Sequence, residues 1–177
     1  MATIIKLQKL VQDNWRLLEA AADGAPPAVP GQDDIIVPLA LWQSRREQLL
    51  AHPGRLGVWL DSDQGPEALA EDLAVLALIA VNFPKFTDGR GYSTARLLRD
   101  RYGYRGELRA IGDVQRDQLL YLTRCGFDAF ALREGRDPEA ALAAFGDFSE
   151  AYQNSVERPQ PLFRRRWANA AEGMERS

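Results

Sequence analysis

Short apolar runs recur along this chain, each followed by a segment with helical spacing. That rhythm restricts the fold more than any other feature. The runs are Ile35–Val37, Leu56–Leu60 (LGVWL), Leu78–Phe83 (LIAVNF), Glu107–Val114 (ELRAIGDV) and Phe127–Leu132 (FDAFAL). Pro38 fits the first turn of a helix carrying Leu41, Trp42, Leu49 and Leu50. Pro66 opens a second helix to about Leu76, Ser93–Tyr102 reads as a third, and Arg116–Cys125 as a fourth, stopped by Gly126. Pro138 opens a last one to about Tyr152. Strand then helix, repeated, predicts parallel βαβ construction. The runs around Val58, Ala80 and Phe130 do not alternate, which predicts strands covered by helices on both faces. A chain of 177 residues is too short for eight βα units, which need roughly 250. The expected fold class is therefore α/β with a mostly parallel sheet, either flavodoxin-like or half-barrel-like.

Three regions follow. Residues 1–34 read as a β-hairpin or short helix, then a Pro-rich loop from Asp23 to Asp34 (DGAPPAVPGQDD). Residues 35–155 form the α/β domain, and 156–177 a flexible tail containing Arg164, Arg165 and Arg166. The N-terminus lacks the order of a signal peptide. The apolar stretch from Leu73 to Phe83 is too short to span a bilayer. The expectation is a cytoplasmic protein with no membrane partner.

Charge and composition narrow the chemistry. A net charge of −3 argues against a nucleic-acid partner, because neutralising phosphates needs a basic surface. With one cysteine, Cys125, and one histidine, His52, the chain cannot supply a disulfide, an iron–sulfur cluster or a His-rich metal site by itself. Cys125 sits at a helix end of the wrong polarity for a thiolate and reads as buried and structural. The four tryptophans read as packing residues. No metal is expected, and the cofactor is left open.

Ligands of parallel α/β proteins bind beyond the carboxyl ends of the strands. The densest polar loop there is Asn82–Ser93 (NFPKFTDGRGYS). Lys85, Arg90, Tyr92 and Ser93 are the candidate anion-binding residues, with Ser93 as N-cap of the following helix. In the alternative, Asp88 caps the turn, Arg90 pairs with a neighbouring acid and Lys85 is solvated. Asp88 and Asp113 are the candidate acid–base groups, Asp113 being either that or, by preference, the N-cap of the helix at Gln115. Glu107 and Arg109, two apart on a strand, share a face and are expected to pair.

The stretch NFPKFTDGRGYS, with ARLLRDRYGYRGELRAIGDV (Ala95–Val114), DQL (Asp117–Leu119), RCGFDAF (Arg124–Phe130), IIVPLALW (Ile35–Trp42) and GVWL (Gly57–Leu60), resembles a bacterial family of unknown function. Its members are described as probable oxidoreductases involved in sulfite reduction, often encoded beside assimilatory sulfite reductase. The resemblance implies an accessory protein that assists or binds sulfite reductase, using the anion-binding loop. A stand-alone enzyme acting on a small anionic metabolite is one alternative. A regulatory or assembly module without a small ligand is another. A homodimer is an open expectation.

Overall fold

The structure of the protein is a computed structural model that describes residues 2–19 and 27–146. It opens with a hairpin of β1 (Thr3–Lys6) and β2 (Lys9–Gln12). The hairpin turn is Leu7–Gln8, both at positive φ (47° and 58°), the backbone of the tight turns that usually recruit Asn-Gly. Then come β3 (Trp15–Leu17), β4 (Asp34–Pro38) and α1 (Leu39–Leu50). The repeat continues with β5 (Leu56–Leu60), β6 (Leu78–Phe83), α2 (Arg90–Asp100) and β7 (Glu107–Gly112). It ends with α3 (Leu119–Cys125), β8 (Ala129–Phe130) and α4 (Pro138–Leu142).

The strands make one eight-stranded sheet in the order β2-β1-β8-β7-β6-β5-β4-β3. From β3 to β8 every pairing is parallel and every neighbour is sequential, while β1 is antiparallel to both β2 and β8. A flavodoxin-like sheet reverses its strand order at a switch point. This one does not, so of the two expected forms it is the half-barrel.

Chain connectivity shows how far the sheet curls. β2 and β3 lie at opposite ends of the strand order, yet only Asp13 and Asn14 separate them. Two intervening residues span at most about 11 Å between the flanking Cα atoms. The sheet must therefore curl until its edges meet at this connector.

The curl gives the sheet two unlike faces. The outer face packs Val37, Val58, Leu60, Ile79, Val81, Leu108, Ala110 and Phe130 against helix residues such as Trp42, Leu98 and Leu122. Burying these side chains is the main stabilising term of the fold. The inner face holds a smaller cluster of Ile36, Leu78, Ala80 and Ile111, edged by Trp15, Trp59 and Ala131, all from strands or strand ends. The expectation of helices on both faces is thus corrected. The helices lie outside, and the inner face is covered by the curvature of the sheet itself, which also removes strict alternation.

Other boundaries differ from expectation. Pro38 ends β4 and holds the N-cap position, so α1 starts after it. The helix expected from Pro66 to Leu76 is a single 3₁₀ turn, Pro66–Leu69. Beyond it the chain runs in turns, with the Asp72 N–H donating to the Leu69 carbonyl at 2.9 Å, and the Asp72 carboxylate accepts from Trp42 Nε1 and Arg46 Nε, both at 2.7 Å. α4 passes into a 3₁₀ turn, Ala143–Gly146. The expected continuation to Tyr152 and the Arg-rich tail lie outside the described residues.

Candidate functional site at the mouth of the half-barrel

At the floor, the N-terminal end of the parallel strands, the inner face carries charge. Arg109 of β7 is 2% exposed. Its guanidinium donates to Asp13 Oδ2 at 2.9 Å and Glu107 Oε1 at 2.8 Å, and Lys6 Nζ donates to Glu107 Oε2 at 2.6 Å. The expected Glu107–Arg109 pair exists, but within a network that also holds the connector at Asp13. The buried guanidinium of Arg109 is thus paired with two carboxylates, and the partly exposed Lys6 shares one of them.

The mouth, at the opposite end, is built differently. The last inward positions of β3, β5, β6 and β7 are Leu17, Trp59, Asn82 and Ile111. With Glu19 they line a cavity of about 270 Å³. Trp59 is in register with Pro38 of β4, and its Nε1 donates across that strand to the Leu18 carbonyl at 3.0 Å. The indole is thereby held as a wall of the cavity. Asn82 Nδ2 donates to Asp61 Oδ1 at 3.0 Å, and the same oxygen accepts from the Ser62 N–H at 2.8 Å. Gly112, at φ 89°, closes β7 beside Asn82, whose Oδ1 would overlap any added Cβ. Glycine is required there on both counts.

The rim carries the predicted residues. Arg90 opens α2, and its side chain donates to Asp88 Oδ1 and Oδ2 (3.0 and 2.7 Å) and to Ser62 Oγ at 2.8 Å. The Arg90 N–H also donates to Asp88 Oδ1 at 3.2 Å. Asp88 thus occupies both the guanidinium and the first free amide of the helix. The hydrogen bonds from Arg90, and then from Ser62, hold its carboxyl well below the usual carboxylate range. Arg90 is raised in turn, by its hydrogen bond to Asp88 first, and by the fields of Asp63 and Asp61. Of the two readings of this loop, Asp88 capping the turn and Arg90 pairing with an acid is the arrangement in place. Lys85 is exposed on the same loop, and its carbonyl accepts from the Asp88 N–H at 2.9 Å.

Two further predicted residues stand apart from this group. Ser93 is exposed inside α2 and caps nothing, because the helix begins three residues earlier with Gly89 at its N-cap. Within that first turn Gly91 lets helix and strand approach closely, since a Cβ there would lie 2.7 Å from Phe83 Cζ. Tyr92 turns toward α3. Its hydroxyl accepts from Gln118 Nε2 at 3.1 Å, its ring meets Phe83 and Tyr121 edge-on, and burial raises its pKa.

Asp113 is not an N-cap. The tight turn Arg116–Gln118 is capped by Gln115, reciprocally with Gln118. Asp113 instead ties three loops together, accepting from the Phe86 N–H at 3.1 Å, Gln115 Nε2 at 3.3 Å and Arg133 Nη1 at 3.3 Å. Cys125 is buried, as expected, and burial pushes its thiol up. Among the described residues no group of three or more His, Cys, Asp or Glu side chains is arranged to hold a metal ion. No described helix is long and apolar enough to cross a membrane.

Sequence reasoning passed over Leu17, Glu19, Trp59, Asn82 and Ile111 as site residues. Their signal is positional, each being at or just past the last inward position of a strand, and it becomes readable only once the bare face is known.

The fold and the mouth together define a half-barrel α/β protein with its connecting loops and an open cavity at the carboxyl ends of its strands. The chain belongs to the family described as bacterial protein of unknown function (DUF934), whose model matches residues 57–163. The match starts within β5, so the hairpin, β3, β4 and α1 precede it. No curated protein matches the chain.

Proposed function

We propose that the protein is an accessory of assimilatory sulfite reduction, assisting or binding the reductase through the mouth of its half-barrel. One coincidence supports the reading. Asn82–Ser93, the longest polar loop among the stretches that carry the resemblance, contributes Asn82 to the cavity wall and Arg90 to the rim. In α/β folds of this kind, loops at the carboxyl ends of strands carry function while the opposite end carries stability.

Lys85 and Arg90 are the rim cations available to an anionic sulfur species. Because Asp88 already engages Arg90, an anion arriving there takes the place of that carboxylate. Sulfite or phosphate at millimolar concentration then raises the melting temperature, by linkage to binding. Lys85→Ala and Arg90→Ala abolish that shift, and Asp88→Asn enlarges it. The stand-alone enzyme reading has less to support it, since Asp88 and Asp113 both already accept several hydrogen bonds from the chain itself.

The decisive experiment is growth of a deletion strain, with no second copy of the gene, on sulfate, sulfite or sulfide as sole sulfur source. The expected outcome is growth on sulfide alone, restored by the wild-type gene. Normal growth on all three would overturn the proposal.

A further inference from the structure

The cavity inside the mouth differs in chemistry from the rim around it. Its walls are Leu17, Trp59 and Ile111, which are apolar or aromatic, with Asn82 and Glu19 supplying polar groups. Among these wall residues the one charge is negative, at Glu19. Asp61, joined to Asn82 at 3.0 Å, adds a second carboxylate immediately behind the wall. The Trp59 indole is fixed by its bond to the Leu18 carbonyl, so its N–H is committed and its carbon framework is what remains for the wall. Beneath the cavity lie Ile36, Leu78 and Ala80, which offer no charge.

A small oxyanion such as sulfite finds no cation on this wall and a carboxylate at its edge. A planar ring finds a fixed aromatic wall, two aliphatic walls, a carboxamide that both donates and accepts, and a carboxylate that accepts from an N–H. The volume of about 270 Å³ suits a single or fused ring, below the size of an extended cofactor. We propose that this cavity binds a neutral or cationic heteroaromatic ring carrying N–H donors, about the size of a nucleobase, with Trp59 as the ring wall and Glu19 and Asn82 reading its edge. The inference rests on the mouth being the working end of the protein, and it assigns the cavity a ligand distinct from any anion on the rim.

Calorimetric titration of the full chain tests it with four probes: adenine, benzamidine as a cationic ring, benzoate as an anionic ring of similar shape, and sulfite. Adenine and benzamidine bind and benzoate does not. Glu19→Gln weakens benzamidine about tenfold, the loss expected of one charge-assisted hydrogen bond. Trp59→Leu weakens both binding rings. Sulfite shows no competition with them, whether or not it binds the rim. Benzoate binding as well as benzamidine would overturn the charge assignment. Absence of ring binding at millimolar concentration, in protein whose circular dichroism and melting temperature are normal, would overturn the site. Neither result touches the growth test, so ring binding without a sulfur phenotype sinks the pathway alone, and the phenotype without ring binding sinks the ligand class alone.

Discussion

The two ends of the half-barrel are made from the same strands and solve opposite problems. At the floor, Lys6, Glu107, Arg109 and Asp13 satisfy one another across sequence separations of 101 and 96 residues. At the mouth, bonds within one loop, such as Asp88 to Arg90, are mixed with bonds between loops, such as Arg90 to Ser62 and Asn82 to Asp61, and Lys85, Arg90 and Glu19 are exposed. The floor network is closed by ion pairs, and the smaller cavity beside it, about 190 Å³, is lined by Lys6, Asp13, Arg55 and Arg109. The mouth cavity instead has an indole, a carboxamide and a carboxylate among apolar walls. Charge pairing is therefore concentrated at one end and apolar cavity wall at the other.

The sharpest way to break this contrast is at Arg109. Arg109→Leu leaves Asp13 without its cation and Glu107 with Lys6 alone, and is expected to cost about 3–5 kcal/mol. Urea denaturation measures it, and a loss under about 1 kcal/mol would show that the floor is not the stabilising end. Gly112→Ala at the mouth comes next. Strain at φ 89° and overlap with Asn82 are expected to cost about 1–3 kcal/mol, and to weaken ring binding in the same protein. A variant that folds normally and binds as wild type would separate Gly112 from the cavity.

Smaller effects sharpen the picture. Leu7 and Gln8 hold positive φ without the residues that favour it. Replacing them with Asn-Gly should stabilise the floor by roughly 1 kcal/mol, read as a higher urea midpoint with an unchanged slope.

The acid response has two components at this same end. Asp34 is lowered, chiefly by its hydrogen bond from Arg55. It contributes stability above its unfolded pKa, near 4, which is lost as pH falls through the folded value. Asp128 is raised by burial, against the hydrogen bonds from the Leu108 N–H and Arg99. Its contribution is present below its unfolded pKa and lost as pH rises through the folded one. Asp34→Asn should flatten the acid side of a stability–pH curve and Asp128→Asn the region just above pH 4. The Asp34 change should be under about 1 kcal/mol, because its Arg55 partner is largely exposed and screened, and the Asp128 change should be the larger, because its Arg99 partner is buried. The smallest effect belongs to the rim. Asp88→Asn should lower the melting temperature of the ligand-free protein slightly, by loss of the charge that Arg90 and Ser62 hold, while enlarging its response to anions, which differential scanning calorimetry detects.

The parallel strands were legible because their apolar runs are local facts. LGVWL and LIAVNF coincide with β5 and β6 residue for residue. The hairpin was left undecided because its turn carries Leu-Gln, and because its partners, Phe130 and Ala129 of β8, are remote in sequence. The helix expected at Pro66 is a 3₁₀ turn followed by further turns, and Asp72 within them is bound by Trp42 and Arg46, tertiary contacts that no local periodicity encodes. The polar loop at Asn82–Ser93 was found at the correct end of the sheet. The cavity beside it was missed, since apolar positions such as Trp59 and Ile111 look like core until the missing helix layer exposes them.

The pairing of β1 with β8 also sets an order of events during synthesis. β1 leaves the ribosome about 125 residues before its partner in β8, roughly 6–25 s at ordinary elongation rates. For that interval Ile4 and Ile5, both buried in the finished protein, have no sheet to join. A nascent chain stalled before Ala129 would display an unpaired hairpin edge of the kind that chaperones bind and that other chains extend into aggregates.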